Sequence, residues 1–257
     1  MDLGISGKIA LVTAASGGMA RNIAHALASE GVNLVLFARS ADKLQAVAQE
    51  IEQQHRVKAV AVAGSMLEPE DVKRLGSTLS ELGGPDIVVL VTGRPPNPLR
   101  PSLEENETSR WQEAYENQLL SVVNVVNGVV PGMLKKGWGR IIAVTSASAK
   151  QPMAKHAIST VFRAGVAAYM KGLANEIGET GITVNCVAPA LVDTSHRTGK
   201  SAYTPEQAAY RKTLCPLGRE GTQEELCGAV TFLASRQAGF ITGSTISVDG
   251  GMTASLF

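Results

Sequence analysis

The chain alternates short, continuous apolar runs with longer helix-favouring stretches, and this alternation limits the fold more than any other feature. Seven runs are predicted to be strands: 8–13, 32–37, 57–62, 86–91, 140–145, 182–187 and 245–248. Segments rich in Ala, Leu, Glu, Gln and Lys are predicted to be helices: 21–30, 41–54, 68–82, 107–135, 153–179 and 222–235. Strands that are apolar throughout are typical of a parallel sheet covered on both faces. We therefore predict an α/β fold, a doubly wound Rossmann-type parallel sheet of about seven strands with helices on both faces.

The length and charge of the chain limit its organisation and its partners. Its 257 residues suffice for one large α/β domain or two small ones, and no linker or repeat interrupts the pattern, so we predict a single domain over 1–257. The formal net charge is +1, with acids and bases interspersed, which indicates neither a nucleic-acid nor a membrane partner. We find no apolar stretch long enough to span a bilayer and no secretory leader.

The cysteines bear on the compartment and on metal binding. Cys186, Cys215 and Cys227 are odd in number and lack the spacing of metal ligands. Unpaired thiols are typical of a reducing compartment. We therefore expect a cytoplasmic protein without a metal site.

Small residues follow the first predicted strand, where the chain turns into the first helix. The turn reads TAASGGMA over 13–20. Such a turn presents backbone amides and a helix N-terminus to a pyrophosphate. We predict cofactor contacts in this turn at Thr13, Ser16, Gly17, Gly18 and Met19. The motif alone is weak, and a plain tight turn is the alternative.

The end of the second predicted strand bears on the choice of cofactor. In dinucleotide-binding folds an acidic residue near this point bonds the ribose 2′-hydroxyl of NAD, whereas an arginine accommodates the 2′-phosphate of NADP. Here Ala38 supplies no carboxylate, and Arg39 supplies a planar fork suited to phosphate. We predict NADP as cofactor, with NADPH preferred over NADH. A solvated arginine at the start of a helix is the alternative.

Several short fragments connect the chain to a known family. They are PGM at 131–133, GRII at 139–142, VNCVAP at 184–189, PLGR at 216–219, TG at 242–243 and VDGG at 248–251. No single fragment is specific. Their order and spacing over nearly the whole chain resemble the short-chain dehydrogenase/reductase family. The resemblance implies oxidoreductase activity on a small-molecule carbonyl or alcohol.

The cofactor residues of that family are partly changed in this chain. Its pattern T-G-x-x-x-G-x-G is matched only at Gly18, because Ala14 and Ala20 replace the other glycines. Ser65 stands where the family often has an aspartate near the adenine, and Gly93 alone matches the family's Asn-Asn-Ala-Gly. The resemblance implies further cofactor contacts at Ser65, Gly93, Arg163, Pro189 and Thr194.

The resemblance also implies a catalytic set, of which two members are changed. Asn117 lies in a segment similar to the family's fourth helix, and Ser146 follows the predicted fifth strand. The family's Tyr-x-x-x-Lys is replaced by Ser159 and Arg163. In the family the tyrosine relays a proton, while the lysine lowers the pKa of the phenol and holds the nicotinamide ribose. The two replaced positions lie one helical turn apart and are predicted to face the same way.

The pKa of a serine hydroxyl cannot be brought close to neutral pH, whereas the pKa of a phenol can. Our catalytic hypothesis is that Ser146 and Arg163 polarise the carbonyl while a water or a nearby side chain supplies the proton. His156 is the leading candidate because it lies three residues before Ser159 and an imidazole can both give and accept a proton. An ordinary histidine at a helix start is the alternative.

Three functions are compatible with these residues. The first is an NADP(H)-dependent oxidoreductase that interconverts a carbonyl and a secondary alcohol with an altered proton relay. The second is a dinucleotide-binding sensor or structural subunit without redox turnover, and the third is a dehydratase or isomerase. The resemblance implies a homotetramer or homodimer formed through the long fourth and fifth helices. The irregular segments 94–101 and 191–216 follow strand ends and are expected to shape the substrate pocket.

Overall fold

The computed structural model describes residues 2–193 and 204–256. The seven predicted strands are confirmed, with ends that shift by a residue or two. They are β1 (Ile9–Thr13), β2 (Asn33–Ala38), β3 (Ala59–Ala63), β4 (Ile87–Leu90), β5 (Gly139–Val144), β6 (Ile182–Pro189) and β7 (Thr245–Val248).

The helices also follow the sequence pattern, with one interruption and one addition. They are α1 (Gly18–Ser29), α2 (Ala41–His55), α3 (Pro69–Glu81), α4 (Thr108–Ala114), α5 (Ser121–Leu134), α6 (Ala157–Ile177), α7 (Pro205–Thr213) and α8 (Gln223–Ala234). A π-helical turn at Tyr115–Leu120 joins α4 to α5. No helix of the described residues is long and apolar enough to cross a membrane.

The strands form one parallel sheet in the order β3-β2-β1-β4-β5-β6-β7. The chain moves outward from β1 to β3 and then returns to the other side of β1 with β4. This reversal makes the carboxyl ends of β1 and β4 a topological switch point, where open α/β sheets bind ligands. The predicted doubly wound Rossmann-type fold is confirmed.

Helices cover both faces of the sheet. Successive side chains of a strand point to opposite faces, so each strand contributes apolar side chains to the core on either side. In β1, Val12 packs in the core formed with α1, α2 and α8. Its neighbour Leu11 packs in the core formed with α3, α5 and α6. Burial on both faces explains why the strands are apolar throughout rather than alternating.

One predicted helix boundary and one segment predicted to be irregular are wrong, and both errors lie near the site. The predicted helix 153–179 begins only at Ala157, because Lys155 has a left-handed backbone with φ 61°. The segment 191–216 contains α7, although it was expected to be irregular. Thr204 caps α7 by accepting from the Gln207 N–H, and the Gln207 side chain accepts from the Thr204 N–H. This capping box at the sequence T-P-E-Q could have indicated the helix.

The hydroxyl of Thr13 joins the two strands at the switch point. It donates to the carbonyl of Val91 at 2.7 Å and accepts from the Val91 N–H at 2.8 Å. Thr13 is fully buried, so both bonds are shielded from water. A backbone donor and acceptor just beyond β4 are therefore satisfied by one side chain of β1, and the spacing of the two strand ends is fixed.

The first prediction concerns this link. Replacing Thr13 by valine keeps the shape but leaves the buried N–H and C=O of Val91 without a partner, which costs about 2 kcal/mol or more. The free energy of unfolding, measured by urea denaturation, should fall by that amount. Thr183→Val is the matched control because the buried Thr183 hydroxyl has no hydrogen-bond partner among the described residues. That variant should be as stable as the parent protein or more stable. Equal losses in the two variants would contradict the assigned role of Thr13.

Candidate active site

The turn after β1 is open to a ligand. The backbone of Gly18 lies in the left-handed region with φ 57°, and a Cβ placed on Gly17 or Gly18 would meet nothing within 4 Å. No side chain caps the N-terminus of α1. The first amides of a helix have no partner within it, so this end of α1 can accept an anion. Ser16 and Met19 lie half-buried on either side of the glycines, whereas the predicted cofactor contact Thr13 has its hydroxyl engaged with Val91.

Arg39 follows the last residue of β2 and is exposed. It forms no ion pair or hydrogen bond with another side chain of the described residues. Ala38 beside it is buried and brings no carboxylate. An unpaired guanidinium therefore lies at the carboxyl end of the strand next to the glycine turn, in the position predicted from the sequence.

Ser65 follows β3 and is held by its own loop. Its N–H donates to Asp71 Oδ2 at 2.8 Å, and its hydroxyl accepts from the Leu67 N–H at 3.2 Å. The bond from Ser65 and the side chain of Arg74 lower the pKa of the Asp71 carboxyl. The carboxylate near the end of β3 thus belongs to Asp71 of α3. It is already bonded to Ser65, the position predicted to contact the cofactor.

Arg163 lies on the buried face of α6 and reaches the carboxyl ends of two strands. Its Nη1 donates to Thr92 Oγ1 at 2.7 Å and to the Val144 carbonyl at 3.2 Å, and its Nη2 donates to the Gly93 carbonyl at 3.0 Å. Burial lowers the pKa of Arg163 to about 10. A guanidinium with that pKa is still charged at neutral pH. It holds the segments after β4 and at the end of β5 together.

Ser146 follows β5 and opens a single 3₁₀ turn, Ala147–Ala149. Its Oγ accepts the Ser148 N–H at 3.3 Å and the Ser148 hydroxyl at 3.1 Å. Ser148 is fully buried, whereas Ser146 is half-buried. Because Ser146 accepts two bonds from Ser148, its own hydroxyl hydrogen is left to donate outward.

The two changed positions of the Tyr-x-x-x-Lys segment face the same way, as predicted. Ser159 and Arg163 both belong to the buried face of α6. His156 lies before this helix as its N-cap residue and not within it. Its Nδ1 donates to the Ala154 carbonyl at 2.8 Å, so in this tautomer Nε2 is left as an acceptor. His156 still lies at the helix start, because its carbonyl accepts from the Thr160 N–H at 2.7 Å.

The π-helical turn between α4 and α5 contains Asn117 and, beside it, a buried residue that the sequence did not single out. The predicted Asn117 is half-buried, packs against Gly93, and uses its carbonyl to accept the Ser121 hydroxyl at 3.0 Å. Its neighbour Gln118 is fully buried, and neither end of its amide has a partner among the described residues. Buried polar groups are rarely unpaired unless a ligand or water satisfies them. Gln118 is therefore a candidate ligand-binding side chain.

The remaining predicted positions lie along the same edge of the sheet. Gly93 is exposed, with its carbonyl bonded to Arg163. Pro189 ends β6, half-buried and in register with Val248 of β7. Thr194 lies outside the described residues. The strand ends thus bring together an open turn, Ser146 and two arginines.

A cavity of about 520 Å³ lies one strand along from Ser146, at the ends of β6 and β7. Both ends of the segment 191–216 contribute to its wall, through Leu191 and Val192 on one side and Cys215 and Pro216 on the other. A second cavity, of about 440 Å³, lies between α3 and α5, away from these residues. The first of the two has the position expected for a small-molecule pocket beside the site.

Comparisons with known proteins identify the family of this chain. The family model described as enoyl-(acyl carrier protein) reductase matches residues 13–253. The 3-oxoacyl-(acyl-carrier-protein) reductase of Vibrio cholerae is 35% identical over 251 residues, covering 97% of this chain and 99% of that protein. The corresponding reductase of Aquifex aeolicus is 32% identical over 256 residues, covering 98% and 100%.

Solved structures are similar over the full length. L-sorbose reductase from Gluconobacter frateurii, complexed with NADPH and L-sorbose, has a TM-score of 0.91 at 32% identity, with all of both chains covered. A 7α-hydroxysteroid dehydrogenase complexed with NADH has a TM-score of 0.89 at 28% identity, with 100% of this chain and 98% of that one covered. The chain belongs to the short-chain dehydrogenase/reductase family. It is an oxidoreductase of carbonyls and alcohols whose residues at the Tyr-x-x-x-Lys positions are Ser159 and Arg163.

The second prediction tests whether Gln118 or Asn117 serves the ligand. Gln118→Met removes an unpaired buried amide at similar volume, so the free energy of unfolding without ligand should stay within about 0.5 kcal/mol or rise. The increase in melting temperature that saturating NADPH produces should become smaller in this variant. Asn117→Met should keep most of that increase. A loss of more than about 1 kcal/mol in ligand-free Gln118→Met would show that the amide is bonded in solution.

Proposed function

We propose that the protein is an NADP(H)-dependent oxidoreductase that interconverts a small-molecule carbonyl and a secondary alcohol without the family's tyrosine. The observation that carries the cofactor assignment is the unpaired guanidinium of Arg39 at the end of β2, beside a glycine turn open to solvent. The L-sorbose reductase complexed with NADPH supports the cofactor, and the relative named 3-oxoacyl-(acyl-carrier-protein) reductase supports the reaction.

The residues present fit the two halves of a dinucleotide. The amides at the start of α1 suit the pyrophosphate, and the planar fork of Arg39 suits the 2′-phosphate. Gly93 and Asn117, which packs against it, lie beyond the end of β4, on the other side of the switch point. This half of the crevice would hold the nicotinamide, which when bound supplies or accepts the hydride.

Ser146 would bind the substrate oxygen. Its hydroxyl hydrogen is left to donate because Ser148 supplies two bonds to its oxygen. As the carbonyl carbon gains a hydride, negative charge develops on this oxygen, and the positive charge of Arg163 at the strand ends stabilises it. The oxygen then takes a proton to complete the alcohol.

The source of that proton is the changed part of the mechanism. Ser159 stands at the tyrosine position but cannot ionise in the useful range. We propose that His156 passes the proton to this oxygen directly or through water, since its Nε2 has no hydrogen-bond partner among the described residues. General acid–base help is worth about 10²–10⁴-fold, so its weakening slows hydride transfer without abolishing it.

A second candidate function is dinucleotide binding without turnover. It is favoured by the use of Arg163, whose two terminal nitrogens are both bonded to protein oxygens. In this case the protein would respond to the cofactor as a sensor or serve as a subunit of an assembly. We also propose a homodimer or homotetramer, for which the partly exposed Val161 and Tyr115 on and beside the long helices offer apolar surface.

The third prediction tests the cofactor assignment. Replacing Arg39 by glutamine removes a charged bond to the 2′-phosphate, a loss of about 1.5–3 kcal/mol, or about 10- to 100-fold in affinity. Calorimetric titration should show this loss for NADPH and no change for NADH, which lacks that phosphate. Arg56→Gln, at the exposed far end of α2, is the control and should bind both cofactors as the parent protein does.

Two results separate the candidate functions. Consumption of NADPH in the presence of a 3-oxoacyl thioester or L-sorbose, lost when Ser146 is replaced by alanine, would support the oxidoreductase. Tight binding of NADPH without consumption by any carbonyl in a broad panel would support the second candidate. Equal affinity of the parent protein for NADPH and NADH would contradict the role of Arg39.

A further inference from the structure

The charge of Arg163 is buried without a counterion among the described residues. All its hydrogen bonds to described residues go to neutral oxygens, those of Thr92, Gly93 and Val144. Burial alone shifts its pKa, with no contribution from a neighbouring charge. Residues 194–203, which the structure does not describe, contain no aspartate or glutamate. No carboxylate of that segment can therefore neutralise the guanidinium.

The chain pairs another buried arginine differently. Arg110 at α4 forms a two-pronged ion pair with Glu105, with both distances 2.8 Å. An isolated buried charge is costly, and proteins usually pair it. Arg140, also buried, has no carboxylate partner among the described residues either: it donates to the carbonyls of Ser235 and Gly139 and lies over Trp138, at the start of β5. Arg163 differs in position, because its unpaired charge lies at the carboxyl ends of the strands, where the site is.

The fold determines which half of the cofactor would lie near the charge of Arg163. Arg39 on the β2 side defines the adenosine half of the crevice, so the nicotinamide half extends over β4 and β5. Arg163 lies beneath these two strand ends, bonded to residues just after β4 and at the end of β5. Ser159, one turn earlier, is neutral and cannot offset the charge.

The two redox forms of the cofactor differ in the charge of this half. The nicotinamide ring of NADP⁺ carries a positive charge, and that of NADPH is neutral. Like charges repel strongly where water is excluded, because the local dielectric constant is low there. The repulsion weakens as that constant rises. We propose that Arg163 makes the site select the reduced cofactor, so that the protein works as a reductase and releases NADP⁺ readily. This inference rests on the proposed function.

The fourth prediction is a ratio of affinities that needs no substrate. Calorimetry would measure the Kd values of NADPH, NADP⁺ and 2′-phospho-ADP-ribose, which lacks the ring. For the parent protein we expect NADPH to bind at least about tenfold more tightly than NADP⁺. In Arg163→Gln that ratio should fall about tenfold, and in Arg163→Lys, which keeps the charge, it should remain.

Arg39→Gln is the matched control for this ratio. It should weaken all three ligands by a similar factor and leave the ratio of NADPH to NADP⁺ unchanged, because the 2′-phosphate is common to them. This outcome separates the charge beneath the nicotinamide from the charge at the adenosine half. A ratio that changes in Arg39→Gln as much as in Arg163→Gln would overturn the proposal.

The outcomes distinguish this inference from the proposed function. Binding of none of the three ligands would overturn the proposed function, and the inference with it. Equal affinity of the parent protein for NADPH and NADP⁺ would overturn the inference alone, even if Arg163→Gln does not fold. An unchanged ratio in a folded Arg163→Gln variant would do the same.

Discussion

The site depends on one buried cation that holds two strand ends. Arg163 bonds Thr92, Gly93 and Val144, and thereby fixes the segments from which Gly93 and Ser146 extend. The link made by Thr13 to Val91 acts one strand further along, where β1 meets β4. Together these contacts set the crevice before any ligand arrives, so that little ordering is left for binding.

The two arginines of the crevice have opposite environments. Arg39 is exposed and unpaired among the described side chains, so its charge is available to a phosphate at low desolvation cost. Arg163 is buried, and its charge acts as a fixed local field rather than as a reaching side chain. With a serine at position 159, the altered site loses a group that can exchange a proton and keeps one that stabilises negative charge.

Much of the fold and part of the site could be predicted from the sequence. Continuous apolar runs identify the parallel strands, because burial on both faces leaves no polar positions in them. The resemblance to the family identified Ser146, Ser159 and Arg163, and the end of the second predicted strand identified Arg39. The neighbourhood of Gln118 could not be predicted, because the π-helical turn changes which residue points inward. Nor could the inward bonds of Arg163, which depend on the positions of distant carbonyls.

Hydride transfer in the absence of the tyrosine is the central claim, and isotope transfer tests it most directly. Stoichiometric protein would be incubated with a 3-oxoacyl thioester and NADPH deuterated at C4, with each of the two C4 diastereomers used separately. We predict deuterium on the new carbinol carbon from one diastereomer only, detected by mass spectrometry, and its loss in Ser146→Ala. Bound NADPH that transfers no deuterium from either diastereomer, to this or any other carbonyl, would contradict the account.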